Sequence, residues 1–173
     1  EVVRRRIAYE ADPQAFTSQW QAQQDALRAQ VAQAQRLMHE AARQGARVLV
    51  FPEAYIGGYP KGADFHIFIG ARTPEGRADY QKYYEAAVTL DGPELAALAQ
   101  TAGELDLTVC VGIIERDGGT LYCTAAYLGR GADGHGTVLG HHRKLMPTAL
   151  ERLVWGYGDG STLQAIDTPH GKL

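Results

Sequence analysis

The sequence predicts a layered α/β or α+β sheet protein, and three observations carry that expectation. A stretch with helical periodicity runs directly into a continuous apolar strand. A further helix opens on a glycine-proline pair. Beyond it, apolar strand-like runs follow one another, separated by glycine-rich turns. Helices alternating with strands early and strands clustering late is the pattern of a sheet covered by helices.

The elements can be justified in order. Over residues 18–44, Leu27, Val31, Ala34, Met38 and Ala41 recur at spacings of three and four among Gln, Arg and Ala, which is the period of an amphipathic helix. Ser18 is a candidate cap for its start and Gly45 for its end. "ARVLVF" then reads as a strand buried on both faces, because the run is continuously apolar with β-branched members. A second helix is expected over 75–87 and a third from Gly92, Pro93 and Glu94, where proline suits the first turn and "ELAALAQTAGEL" supplies the apolar stripe. "LTVCVGIIE", "LYCTAAYL", "GTVLGHHRK" and "STLQAID" read as strands, and "RDGG", "GRGADGHG" and "GYGDG" as the turns between them.

Composition narrows the function classes. Hydrophobic residues at 45% and charged residues at 21% allow a folded core, and a net charge of −3 offers no general attraction to nucleic acid or anionic membrane. The basic run at residues 4–6 reads as a solvated edge. No run of about 18 apolar residues exists to span a bilayer, and the charged start lacks the apolar core of a signal peptide, so the default expectation is a cytoplasmic location. Cys110 and Cys123 sit inside strand-like runs and read as reduced, buried thiols, neither placed as a nucleophile. The chain starts at Glu1 without an initiator Met and stops in a turn, "DTPHGKL", which suggests part of a longer domain.

Two side chains stand out for chemistry. Glu53 follows Phe51 and Pro52 where the apolar strand ends, and the rim of a sheet is where α/β proteins place ligands; the bland alternative is a solvated acid. Lys144 ends the "GTVLGHHRK" strand, and by alternation shares a face with Val138, Gly140 and His142. It reads either as an edge lysine that blocks strand pairing or as an ammonium fixed beside a carboxylate. Adjacent His141 and His142 point to opposite faces and no Cys or acid joins them at ligand spacing, so no metal site is expected.

"GARVLVFPEAYIGGYPKGADF", "VGIIERDGGTLYCTAAYL" and "HHRKLMPTALERLVWGYGDGSTL" resemble successive blocks of the nitrilase superfamily of carbon-nitrogen hydrolases, in the branch of true nitrilases. The resemblance covers roughly residues 31–173, and "MPTALERLVWGYGDGS" is its most specific block. It implies an α-β-β-α sandwich, incomplete here, with residues 1–173 forming the N-terminal part of a single domain. It also implies a Glu-Lys-Cys catalytic set that hydrolyses an organic nitrile to a carboxylic acid and ammonia without a cofactor. Glu53 matches the general base and Lys144 the catalytic lysine. Glu151 matches a second glutamate that supports the lysine and substrate; the residues alone would make it a surface helix acid. The family's nucleophilic cysteine follows the "DTPxGK" turn, which places it after Leu173, and Cys110 and Cys123 lie in other blocks. Tyr55, Tyr59 and Phe65 fall in the family's segment near the base and read equally as pocket lining or as core aromatics. The start departs from the family, with three arginines and only a short apolar segment at residues 7–9 in place of a first strand. Self-association as dimers or spirals is implied, while the alternatives are a cyanide hydratase or dihydratase, or a catalytically inactive fragment with a structural role.

Overall fold

The computed structural model describes residues 13–173; the basic run at 4–6 and the short apolar segment at 7–9 lie outside the described residues. Helix α1 spans Pro13–Arg43, α2 Pro74–Ala86 and α3 Pro93–Glu104. Strands β1 (Val48–Val50), β2 (Thr108–Asp117), β3 (Thr120–Arg130) and β4 (Gly136–Arg143) form a four-stranded sheet in that spatial order. β1 runs parallel to β2 and the remaining pairs are antiparallel. The mixed helix-and-sheet class expected from the sequence is therefore what the chain forms.

The apolar stripe of α1 does what its spacing predicts: Leu27, Val31, Ala34 and Met38 are buried against Leu95, Leu98, Ala99 and Ala102 of α3 and against Val109, Val111, Ile113, Ala126 and Leu128 of the sheet. Burial of each Leu, Ile or Met in such a cluster contributes about 1.5–3 kcal/mol. α1 starts ahead of Ser18, so Ser18 lies within the helix and does not cap it. Gly45 does end it: at φ 87° it takes the left-handed conformation, and the Ala46 N–H reaches back to the Ala41 carbonyl.

Three expectations need correction. β1 is not buried on both faces: Leu49 packs inward, but Val48 and Val50 are exposed because they point to the sheet face opposite the helices, which the described residues leave uncovered beside β1. "STLQAID" is not a strand. Ser161 is tied to Asp159, Leu163 closes a turn onto Gly160, and only Asp167–Thr168 pairs, with Gly171–Lys172, as the two-residue strands β5 and β6. Val138 does not share Lys144's face either. A register shift at Tyr127 and Leu128 leaves Val138 opposite Leu128 and packed on the helical side, while Gly140 and His142 keep the other face.

The chain departs from sheet pairing in two places, and each departure carries a carboxylate. After β1, it leaves β2 between Phe51, whose N–H bonds the Cys110 carbonyl, and Ile56, whose N–H bonds the Gly112 carbonyl. After β4, it leaves β3 between Lys144, which bonds the Cys123 carbonyl, and Gly156, which bonds the Leu121 carbonyl. The first excursion carries Glu53, and the second folds a short 3-10 helix, Ala149–Leu153, that carries Glu151.

Candidate active site

The first excursion can lie close over β2 because residue 112 is glycine. A Cβ there would sit 2.3 Å from the Pro52 carbonyl oxygen and 2.7 Å from Glu53 Cα, distances no side chain tolerates. The tight path puts Ala54 at φ 53°, a conformation that costs a non-glycine residue about 1 kcal/mol or more. Ala149, at the start of the 3-10 helix in the second excursion, is held at φ 47°. Strained backbone thus flanks both carboxylates.

The two excursions meet at Lys144. Its ammonium donates to Glu53 Oε1 at 2.9 Å and to Glu151 Oε2 at 2.8 Å, joining residues 91 and 7 positions away. Burial alone would lower the pKa of Lys144; the hydrogen bonds to Glu151 and Glu53 outweigh it and raise it, so the amine stays cationic. The indole of Trp155, itself buried, lies under the ammonium at 5.5 Å and is fixed by its own N–H to the Tyr83 hydroxyl at 2.9 Å.

The two carboxylates are not equivalent. Glu151 has both oxygens occupied: Oε1 accepts from the Tyr59 hydroxyl at 2.7 Å, and Oε2 from Lys144 and the Thr148 N–H. Its burial pushes the pKa up, but the bonds from Lys144, Thr148 and Tyr59 prevail and hold it below the usual carboxylate value. The side chain is only 10% exposed and works as a fixed anion. Glu53 is 47% exposed; both of its donors, Lys144 and the Cys123 thiol at 3.4 Å, take Oε1, and Oε2 has no hydrogen-bond partner among the described residues. An open carboxylate oxygen beside a cation suits a group that takes up and returns protons.

The structure brings together Glu53, Lys144, Glu151 and Tyr59, all expected from the sequence. Tyr59 is half-exposed, its ring edge against Trp155, and its hydroxyl pKa is raised chiefly by the bond to Glu151. Tyr55 goes elsewhere: its ring packs on Phe51 at 4.8 Å beside the helical core. Phe65 is buried against Tyr80 and Tyr83 and lines an open cleft of about 500 Å³ with Pro60, Asp64, Asp79, Lys82 and Tyr83; Lys144 and its two carboxylates do not line it.

Sequence reasoning misses two groups. Cys123 reads from its strand as packing alone, yet its thiol meets Glu53. Beside the site, Arg143 makes a bidentate pair with Glu115, which is 2% exposed, adds Asp117 at 2.8 Å and stacks over Tyr122 at 4.0 Å; Thr124 donates to the same glutamate at 2.6 Å. That network anchors the strand end from which Lys144 projects. An acid in the otherwise apolar "VCVGIIE" is the available signal. Among the described residues no group of three His, Cys, Asp or Glu side chains is gathered to hold a metal, and no helix is long and apolar enough to cross a membrane.

Comparison with known proteins agrees with the geometry. Residues 17–173 match the family described as Carbon-nitrogen hydrolase. The chain is 58% identical over 137 residues to an aliphatic nitrilase of Sinorhizobium fredii (strain HH103), covering 79% of this chain and 43% of that protein. It is 53% identical over 140 residues to a bifunctional nitrilase/nitrile hydratase of Lupinus angustifolius, covering 81% and 39%. The chain therefore spans about two fifths of the length of these relatives. In fold it is similar to a carbon-nitrogen hydrolase from Helicobacter pylori G27, with a TM-score of 0.55 at 18% identity over 84% of this chain and 45% of that one.

Proposed function

The chain belongs to the carbon-nitrogen hydrolase family, and from that premise we propose that the whole protein is a nitrilase, converting organic nitriles to carboxylic acids and ammonia by a Glu-Lys-Cys mechanism. The observation that carries this reading is one ammonium bonded to two carboxylates of unequal exposure.

In this mechanism Glu53, through its open oxygen, takes the proton of a cysteine thiol, whose reference pKa of about 8.5 leaves little thiolate at neutral pH. That cysteine, on the family resemblance, is proposed to follow Leu173. The thiolate adds to the nitrile carbon, giving a thioimidate. Glu53 then activates water, ammonia departs, and the resulting thioester is hydrolysed to the acid. Lys144, kept cationic by its two partners, stabilises the negative charge that develops on nitrogen and on the tetrahedral intermediates. Glu151 holds Lys144 in place, and Tyr59 caps Glu151 beside the substrate. Assembly into dimers or spirals belongs to the same proposal and rests on the resemblance alone; a cytoplasmic location is carried with it as the default expectation of the sequence.

The test is product analysis with the full-length protein. Acid and ammonia from organic nitriles support the reading, with Glu53→Gln and Lys144→Ala each abolishing turnover in a folded protein. Release of amide alone would move the assignment to nitrile hydration, the second activity in the Lupinus relative's name. Activity confined to cyanide would overturn it, and so would near wild-type rates in either variant.

A further inference from the structure

We propose that Cys123 is a positioning residue for Glu53: its thiol holds Oε1 of the carboxylate together with Lys144, and so reserves Oε2 for proton transfer. This rests on the reading of Glu53 as the general base.

The geometry supports a donor. Cys123 lies on β3 and is 5% exposed. It pairs with Ile114 of β2, two residues along the strand from Gly112 and on the same face, and its carbonyl accepts the Lys144 N–H at 2.8 Å. Its side chain therefore emerges between the two excursions, and Sγ lies 3.4 Å from Glu53 Oε1. A carboxylate bonded only by a flexible ammonium can rotate and present either oxygen; a second donor, fixed by the sheet on the same oxygen, removes that freedom. Glu53 is 47% exposed, so neighbouring packing alone does not immobilise it.

The same surroundings keep the thiol protonated. Burial, with the charge of Glu53 next, pushes Cys123 up to about 12. A thiolate there would face the carboxylate that is meant to receive protons. The group thus acts as a donor and stays out of nucleophilic chemistry, so this chain can carry a cysteine against Glu53 without a competing nucleophile.

Two measurements on the full-length protein test this. The infrared S–H stretch of Cys123, isolated as the band lost in Cys123→Ala, is expected at lower frequency than that of a free thiol, returning to the free position on Glu53→Ala; an unshifted band overturns the proposal. This readout is independent of turnover, so a protein that hydrolyses no nitrile would defeat the functional reading and leave the contact decided by the spectrum. In steady state, Cys123→Ala is expected to lower kcat about tenfold with KM within about twofold, and Cys123→Ser, which retains a donor, to recover most of the loss. Equal rates for the Ala variant and wild type, or equal losses for Ala and Ser, would show a packing role only and overturn the assignment.

Discussion

Gly112→Ala should separate folding from catalysis. The added Cβ would lie 2.3 Å from the Pro52 carbonyl oxygen, 2.6 Å from the Ala54 nitrogen and 2.7 Å from Glu53 Cα, all main-chain atoms that cannot swing aside. Ordinary contact begins at 3.4 Å, so the Glu53 segment must lift by about 1 Å. Overpacking of this kind costs about 1–3 kcal/mol, offset by about 0.5–1 kcal/mol because alanine suits a strand interior better than glycine. The net loss of about 0–2.5 kcal/mol leaves a folded protein. Catalysis suffers more: the 2.9 Å bond between Lys144 and Glu53 cannot survive such a displacement unchanged, and a 1 Å misplacement of a reacting group costs on the order of 100-fold in rate. The assay is ammonia release beside thermal denaturation of the full-length protein, with Gly119→Ala as control, since a Cβ there meets nothing within 4 Å. Turnover in Gly112→Ala within about threefold of wild type would refute the claim that close approach to β2 positions the base.

Arg143→Ala leaves Glu115 buried without its guanidinium and should cost about 3–5 kcal/mol in urea or thermal unfolding, whereas the double change Glu115→Gln with Arg143→Met should cost clearly less; a single-variant loss under about 1 kcal/mol would contradict a buried pair. In alkali, the unfolded Cys123 thiol loses its proton at about 8.5 and the folded one at about 12, so the folded state binds more protons between those values and stability must fall as pH rises through that window, by at most about 1.4 kcal/mol per pH unit. Lys144, also raised, acts in the same direction. The measured loss between pH 9 and 11 should therefore be shallower in Cys123→Ala than in wild type, and identical slopes would remove the thiol from the explanation.

What can be read from the sequence is whatever depends on local period or on family likeness. The stripe from Leu27 to Met38 fixes the buried face of α1 because four side chains at helical spacing suffice to do so. Glu53 and Lys144 draw notice as charged ends of apolar runs, but Glu151 becomes visible only through the resemblance. The rest is hidden because it depends on residues far apart in the chain: the Cys123–Glu53 contact spans 70 positions, and Tyr59–Glu151 spans 92. The bulge that turns Val138 to the other face leaves no mark in an alternating run, since one extra residue looks like any other. Gly112, in the middle of "TVCVGII", is a readable sign of close backbone approach that alternation alone does not interpret.

The difference between the two glutamates comes from how each reaches the lysine. Glu53 belongs to a stretch pressed flat on β2, so its side chain stands up from the sheet with one oxygen clamped by groups rooted in β3 and at the end of β4, and the other without a hydrogen-bond partner among the described residues. Glu151 belongs to a helical turn that folds back over the lysine, so its carboxylate meets Lys144, its own helix start at Thr148 and Tyr59 at once. A carboxylate with every oxygen engaged gains little from moving a proton and much from staying charged; one with a free oxygen beside a cation can exchange protons without dismantling its supports. The two side chains are chemically identical, so the proposed division of labour between base and anchor would be set by the route of the backbone that delivers each of them.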